Sequence, residues 1–296
     1  MKYTLILNPV AGNGSAAEIG ANIEALLLEE KVDFRMLKSE YPGHSTELAR
    51  QAANDPETDA VISIGGDGTS FEVACGLIGT PKPMGIVPAG TGNDFIKTLG
   101  IPKDPLEAIK FILSSEPRPV DVGKINDRIF LNVCGTGFDV TVLDYAEEEK
   151  KKFKGLMPYL IGLIKAIAHY KPFSAKISID GETEEKSMLI CAIANGRYFG
   201  GGIPICPDAD PADHCFDLIT IDPLKKGVLP FYLPGLLFGK DLKWKATKRR
   251  KVRSVNVDCP GMRVDVDGEI LQMDNAEFTI LPDAMLILWQ KREEKA

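Results

Sequence analysis

Apolar residues recur along the first 120 positions in two alternating rhythms. Short apolar runs at 3–7, 34–37, 60–64 and 84–87 predict strands, and the β-branched run 60–64 has the composition of one buried on both faces. Between them, three- and four-residue spacing predicts helices over 15–30 (Ile19, Ile23, Leu26, Leu27), near 44–54, from about 70 to 76, and over 105–113. Such alternation implies a parallel sheet with right-handed crossovers, whose ligands lie beyond the carboxyl ends of the strands. After Pro117 and Pro119 the texture changes. Short strand-like runs at 121–125, 129–134, 175–180, 187–194, 216–221, 252–258, 262–266 and 277–281 are separated by Asn126-Asp127, Asp180-Gly181, Pro260-Gly261 and Asp267-Gly268. That pattern predicts a mostly antiparallel β-sandwich with one helical insertion at 155–170. The expected division is an α/β domain over 1–120, joined by 284–296, and a β-rich domain over 121–283.

Glycine clusters fall where three of the first-domain strands end. Strand 3–7 runs into Asn8-Pro9-Val10-Ala11-Gly12-Asn13-Gly14-Ser15, strand 60–64 into Gly65-Gly66-Asp67-Gly68-Thr69, and strand 84–87 into Pro88-Ala89-Gly90-Thr91-Gly92-Asn93-Asp94. Glycine lets a backbone come close to a bulky ligand, and amides at a strand end cradle phosphate. Asp67 is a carboxylate among those amides, which would repel phosphate unless it serves a metal or a proton. That conflict points to phosphoryl transfer rather than simple anion binding. Thr69 also reads as a helix N-cap, with Glu72 completing a capping box.

Composition narrows the partners. The 296 residues carry a formal net charge of −7, which argues against general nucleic-acid binding. Six cysteines at 75, 134, 191, 206, 215 and 259 form no CxxC pair, the usage of reduced thiols in a cytoplasmic protein. No leader peptide and no membrane-spanning run is expected; 155–167 and 227–239 are the longest apolar candidates, broken by Lys165 and by Pro230 and Pro234.

Taken together, Asn8-Pro-x-Ala-Gly-x-Gly, Gly65-Gly-Asp-Gly-Thr69 and Pro88-x-Gly-Thr-Gly-Asn-Asp94 resemble the signatures of the diacylglycerol kinase catalytic domain family. That superfamily includes sphingosine and ceramide kinases and is related to NAD kinases and phosphofructokinases. The resemblance is most specific over 3–98 and continues to about 275, with Phe71 standing where relatives commonly have Asn. It implies an ATP- and Mg2+-dependent kinase of a lipid hydroxyl, diacylglycerol or similar. ATP phosphates would lie on Gly65, Gly66, Asp67, Gly68 and Thr69, helped by Asn8, Gly12, Ser39, Glu72, Gly90, Thr91 and Asn93.

The second domain contributes two further clusters. Asp267-Gly268-Glu269 matches the catalytic Asp-Gly-Glu of the lipid kinases, so Asp267 or Glu269 would take the proton from the attacking hydroxyl. The same tripeptide at Asp180-Gly181-Glu182 reads as a hairpin turn. The resemblance places a magnesium ion on the Asp213 side chain and the carbonyls of Asp210 and Cys215, although His214 replaces the usual Gly. Asn132-Val-Cys-Gly135-Thr-Gly137-Phe138-Asp139 would line the substrate cleft.

Finally, Lys240, Lys243, Lys245, Lys248, Arg249, Arg250, Lys251 and Arg253, with Trp244 among them, follow the apolar stretch 227–239. This describes either a surface that meets anionic lipid, at the inner membrane face, or an ordinary solvated helix. A homodimer stays open. Two rival readings remain at this level. One is a kinase with a soluble acceptor such as NAD. The other is a dinucleotide-binding oxidoreductase using Gly12-x-Gly14-x-x-Ala17 with Asp33.

Overall fold

A computed structural model describes residues 1–150, 152–153, 157–240 and 244–290. Positions 151 and 154 of the charged run 147–154, positions 155–156 of the expected helical insertion, Lys243, and positions 291–296 lie outside the described residues. The first half alternates as expected: β1 Lys2–Leu7, α1 Ser15–Glu29, β2 Asp33–Lys38, α2 His44–Asn54, β3 Ala60–Gly65, α3 Asp67–Leu77, β4 Met84–Pro88, α4 Asp94–Leu99 and α5 Pro105–Leu113. β2, β1, β3 and β4 lie side by side, all parallel. Every residue of β3 is buried, because helices cover both faces. Leu5, Ile62 and Ile64 pack against Ile23, Leu27, Ile109 and Ile112 on one side. On the other, Ile6, Val61 and Ile86 pack against Leu48, Val73 and Leu77. Local chemistry sets the ends: Asp104 caps α5 by accepting from the amides of Leu106 and Glu107, with Pro105 in the first turn.

The second half comprises β5 Pro117–Ile125, β6 Arg128–Phe130, β7 Val133–Gly137, α6 Phe138–Lys150, α7 Met157–His169, β8 Phe173–Ile179, β9 Glu182–Met188, β10 Ile190–Ala194, β11 Phe216–Ile221, α8 Leu229–Leu237, β12 Thr247–Val252, β13 Ser254–Val266 and β14 Glu269–Leu288. Its strand pairs are antiparallel. β10 shows why two cores exist. Its Cys191 and Ile193 face the sandwich interior with Phe130, Phe216 and Phe278, whereas Ile190, Ala192 and Ala194 face a layer formed by α6, α7 and α8.

Several expectations change. The Pro260-Gly261 turn is instead a register shift inside the 13-residue β13, between Asp258 and Met262. The stretch 240–253, expected as either a lipid-facing surface or a solvated helix, contains strand β12, which pairs with β11. Trp244 packs edge-on to Tyr232, 5.3 Å between ring centres, rather than standing at an interface. The strand expected at 277–281 is the middle of a 20-residue strand. β14 pairs with β13 and β5, and its Ile287 pairs in parallel with Met84 of β4, so one hydrogen-bonded path runs through both halves. Among the described residues no helix is long and apolar enough to cross a membrane.

Candidate active site

The three glycine loops meet at the carboxyl ends of β1, β3 and β4. In the first, Asn8 donates from Nδ2 to Thr69 Oγ1 at 3.0 Å, stitching it to the second. Gly12 has φ +59, and a β-carbon there would strike the carbonyl of Ala89 in the third loop. Gly65 gives the Thr69 side chain its space. Asn93, at φ +51, closes the third loop on itself, donating from Nδ2 to the Gly90 carbonyl at 2.7 Å. Each loop therefore braces another, as close backbone approach allows.

Asp67 is the centre of this arrangement. Its two oxygens accept from the amides of Asn93 (2.6 Å) and Asp94 (2.7 Å), at the start of α4. Burial raises its pKa against the pull of those amides. The conflict seen in the sequence, a carboxylate among phosphate-binding amides, is thus resolved by turning the carboxylate toward the third loop. The helix α3 begins at Asp67 with Gly66 as its cap residue, so the capping box at Thr69 is not formed. Glu72 accepts instead from the amides of Gly43 (2.8 Å) and Ser45 (3.2 Å), because the start of α2 lies against α3. Its carboxylate is used between helices rather than toward a nucleotide. Ser39 is buried, and its amide donates to the Leu7 carbonyl at 2.9 Å, where β1 enters the first loop.

A fourth glycine loop went unread in the sequence. Gly200, Gly201 and Gly202 follow β10 and all have positive φ. The Gly201 amide donates to Asp94 Oδ2 at 2.8 Å, while Lys97 Nζ holds Asp94 Oδ1 at 2.7 Å. Arg197 donates its amide to Thr98 Oγ1 at 2.9 Å. The sequence signal for it is three consecutive glycines six residues past a buried strand.

From this loop the connection passes to the Asp-Gly-Glu hairpin. Gly196 donates its amide to the Asn132 carbonyl, and Asn132 Nδ2 bonds the Tyr198 carbonyl. Asp267 then accepts from three successive amides, those of Leu131 (2.6 Å), Asn132 (3.0 Å) and Val133 (3.0 Å). Burial pushes its pKa to about 6, opposed by those amides. Asp67 and Asp267 thus belong to one hydrogen-bonded frame. Glu269 is exposed and pairs with Arg128 at 2.9 Å. Both Asp-Gly pairs form the same tight turn, with φ +48 and +97 at 267–268 and φ +49 and +94 at 180–181. The earlier Asp180 is exposed and accepts from the amides of Arg253 and Ser254.

Asn132, which leads the segment expected to line the cleft, lies in this frame. Asp139, at its end, is buried at the start of α6, and neither carboxyl oxygen has a hydrogen-bond partner. Burial, with Asp265 nearby, pushes its pKa to about 7.

The acidic loop 208–217 is tied to β12 through Lys251. Asp213 Oδ2 pairs with Lys251 Nζ at 2.7 Å, and its Oδ1 accepts from the Cys215 amide at 3.0 Å. Asp210 accepts from the Ala212 amide at 3.1 Å. An ammonium group therefore stands where an ion on Asp213 would be, so Asp210, Asp213 and Cys215 do not suit a resident magnesium without displacing it. His214 has φ +62, the conformation glycine adopts freely, and its Nε2 lies 3.2 Å from Asp283 Oδ1. The basic stretch is likewise engaged: Lys248 pairs with Asp222 at 2.9 Å, and Lys251 also with Asp217 at 2.8 Å. Asp33 opens β2, paired with Lys2 at the end of the sheet away from the glycine loops. It cannot serve as the ribose-binding acid of the oxidoreductase reading.

Comparison with known proteins identifies the family. The diacylglycerol kinase catalytic domain model matches residues 2–125, and the YegS C-terminal NAD kinase beta sandwich-like domain matches 132–289. A diacylglycerol kinase of Mycobacterium tuberculosis is 31% identical over 97% of this chain and 94% of its own. A probable lipid kinase YegS-like protein of Pseudomonas putida is 32% identical, covering 76% of this chain and 75% of its own. A crystal structure described as a diacylglycerol kinase from Bacillus anthracis superposes with a TM-score of 0.75 at 26% identity, covering 98% of this chain and 97% of its own. The chain belongs to the diacylglycerol kinase and YegS-like family of lipid kinases.

Proposed function

We propose that this kinase transfers the γ-phosphate of magnesium-ATP to a hydroxyl of diacylglycerol or a similar lipid. The observation that carries the reading is the Asp67 carboxylate bonded to the amides of Asn93 and Asp94. With that carboxylate turned aside, the amides of Gly66 to Thr69 at the start of α3 are left for the phosphates. Thr91 and Asn8 border the same loops. Asp267 has both oxygens bonded to amides of 131–133, so it positions the hairpin. Glu269 is the carboxylate available to accept the hydroxyl proton as the phosphoryl group moves. Most of the rate would come from positioning in the cleft between the halves. The test is incubation of purified protein with γ-labelled ATP and a lipid extract, followed by identification of the labelled product. A labelled phosphatidic-acid-like lipid supports the reading; label on NAD, or no transfer, overturns it.

A further inference from the structure

We infer that the Lys251 side chain is a tethered cation that holds the acidic loop 208–217 in place of a bound divalent ion. The loop leads into β11 and carries Asp208, Asp210 and Asp213, with Asp217 already inside the strand. The inference concerns the order of this loop and is independent of which acceptor the kinase uses.

Sheet register puts the ammonium there. Lys251 of β12 stands directly opposite Asp217 of β11, so the two side chains share a face. Lys251 Nζ then spans two carboxylates, 2.8 Å from Asp217 Oδ2 and 2.7 Å from Asp213 Oδ2. Asp213 is thereby engaged through both oxygens, since its Oδ1 accepts from the Cys215 amide at 3.0 Å. Magnesium takes oxygen ligands at about 2.0–2.1 Å in octahedral geometry. An ion that close to Asp213 Oδ2 would stand beside the ammonium, where two cations repel strongly. Lysine and ion therefore exclude each other.

The other anchors of this connection are also groups of the chain itself. Arg197 donates from Nε to the Ala209 carbonyl at 2.7 Å, and Arg249 from Nη2 to the Ile205 carbonyl at 3.1 Å. Guanidinium groups thus satisfy backbone oxygens on the approach to the acidic residues. On the far side, the buried Asp121 of β5 accepts from the His214 amide at 2.7 Å. Its own amide donates to the Pro211 carbonyl at 2.7 Å. His214 keeps φ +62 in this setting, with Nε2 3.2 Å from Asp283 Oδ1 of β14. The loop is therefore tied to β5, β12 and β14 by protein contacts. A cation carried on a strand is present at every magnesium concentration, so the order of the loop should not depend on free ion.

The test is the melting temperature of nucleotide-free protein in EDTA and in excess Mg2+ at matched ionic strength. ATP is left out, so failure of the phosphoryl-transfer reading would leave the result unchanged. The wild type should melt at the same temperature in both solutions. Lys251→Met keeps the aliphatic stem and removes the charge. It should melt roughly 2–4 °C below wild type in EDTA and recover on addition of Mg2+, because the vacated place accepts the ion. Lys251→Arg should restore indifference to Mg2+. A wild type stabilised by Mg2+ overturns the inference, and so does a Lys251→Met protein whose melting ignores Mg2+. If Lys251→Met does not fold, calorimetric titration of Mg2+ into nucleotide-free wild type decides the matter. No binding, or binding that survives Asp213→Asn, supports the inference; binding that Asp213→Asn abolishes overturns it.

Discussion

Gly66 Cα occupies the place a β-carbon on Gly90 would need, so the second and third loops meet backbone to backbone. Gly90→Ala should therefore push the loops apart. We expect at least a tenfold rise in KM for ATP and a stability loss of about 1–3 kcal/mol, read by kinetics and urea denaturation. Wild-type kinetics in this variant would show that the contact is dispensable.

Asp67 both orders the third loop and sits beside the amides we propose to hold the phosphates. Asp67→Ala should abolish transfer, and leaving the amides of Asn93 and Asp94 without their acceptor should cost about 1–3 kcal/mol. Turnover and thermal melting measured on one preparation separate the two effects. Turnover at the wild-type level would remove Asp67 from the mechanism.

The two Asp-Gly-Glu hairpins make an internal comparison. Glu269→Gln should lose transfer without a change in melting temperature. Asp267→Asn should lose both transfer and stability, since three amides depend on that carboxylate. Asp180→Ala should cost roughly 1 kcal/mol for its two amides and leave turnover intact. A fall in turnover with Asp180→Ala would mean that the earlier hairpin takes part in catalysis.

Asp139 gives stability a pH dependence. An unfolded carboxyl ionises near its ordinary value, whereas the buried one keeps its proton up to about 7. The folded state therefore binds more protons between those values. Stability is complete below the unfolded pKa and declines as pH rises to about 7, by up to about 4 kcal/mol. Asp265, raised to about 6 by burial, adds to the lower part of that slope. Asp139→Asn should flatten the profile and be more stable than wild type at about pH 8. Urea midpoints across that range measure it, and an unchanged slope would exclude Asp139 as the source.

Much of the first half was legible because β1, β3 and β4 are buried almost throughout and lead into glycine-rich loops. The loops at 8–15, 65–69 and 88–94 needed only that pattern. What the sequence concealed depends on distant contacts. The helix Phe138–Lys150 gives no periodic signal, because packing on α7 holds it rather than a clear apolar stripe. The bend in β13 and the length of β14 come from partners far away in the chain. In the site, the residue types were readable but their bonds were not. Glu72 lies three residues from Thr69, the spacing of a capping box, yet α2 claims its carboxylate. Lys251 gave no local hint that it would neutralise Asp213.

The reach of β14 from Glu269 to Leu288 has a consequence for biosynthesis. Met84 waits for Ile287, so the edge of the parallel half stays open on the ribosome until residues some 200 positions later have emerged (287 − 84 = 203). A nascent chain halted before Met285 would expose β4 as an unpaired border, vulnerable to pairing with a neighbour. Completing that last strand is what couples maturation of one half to the other.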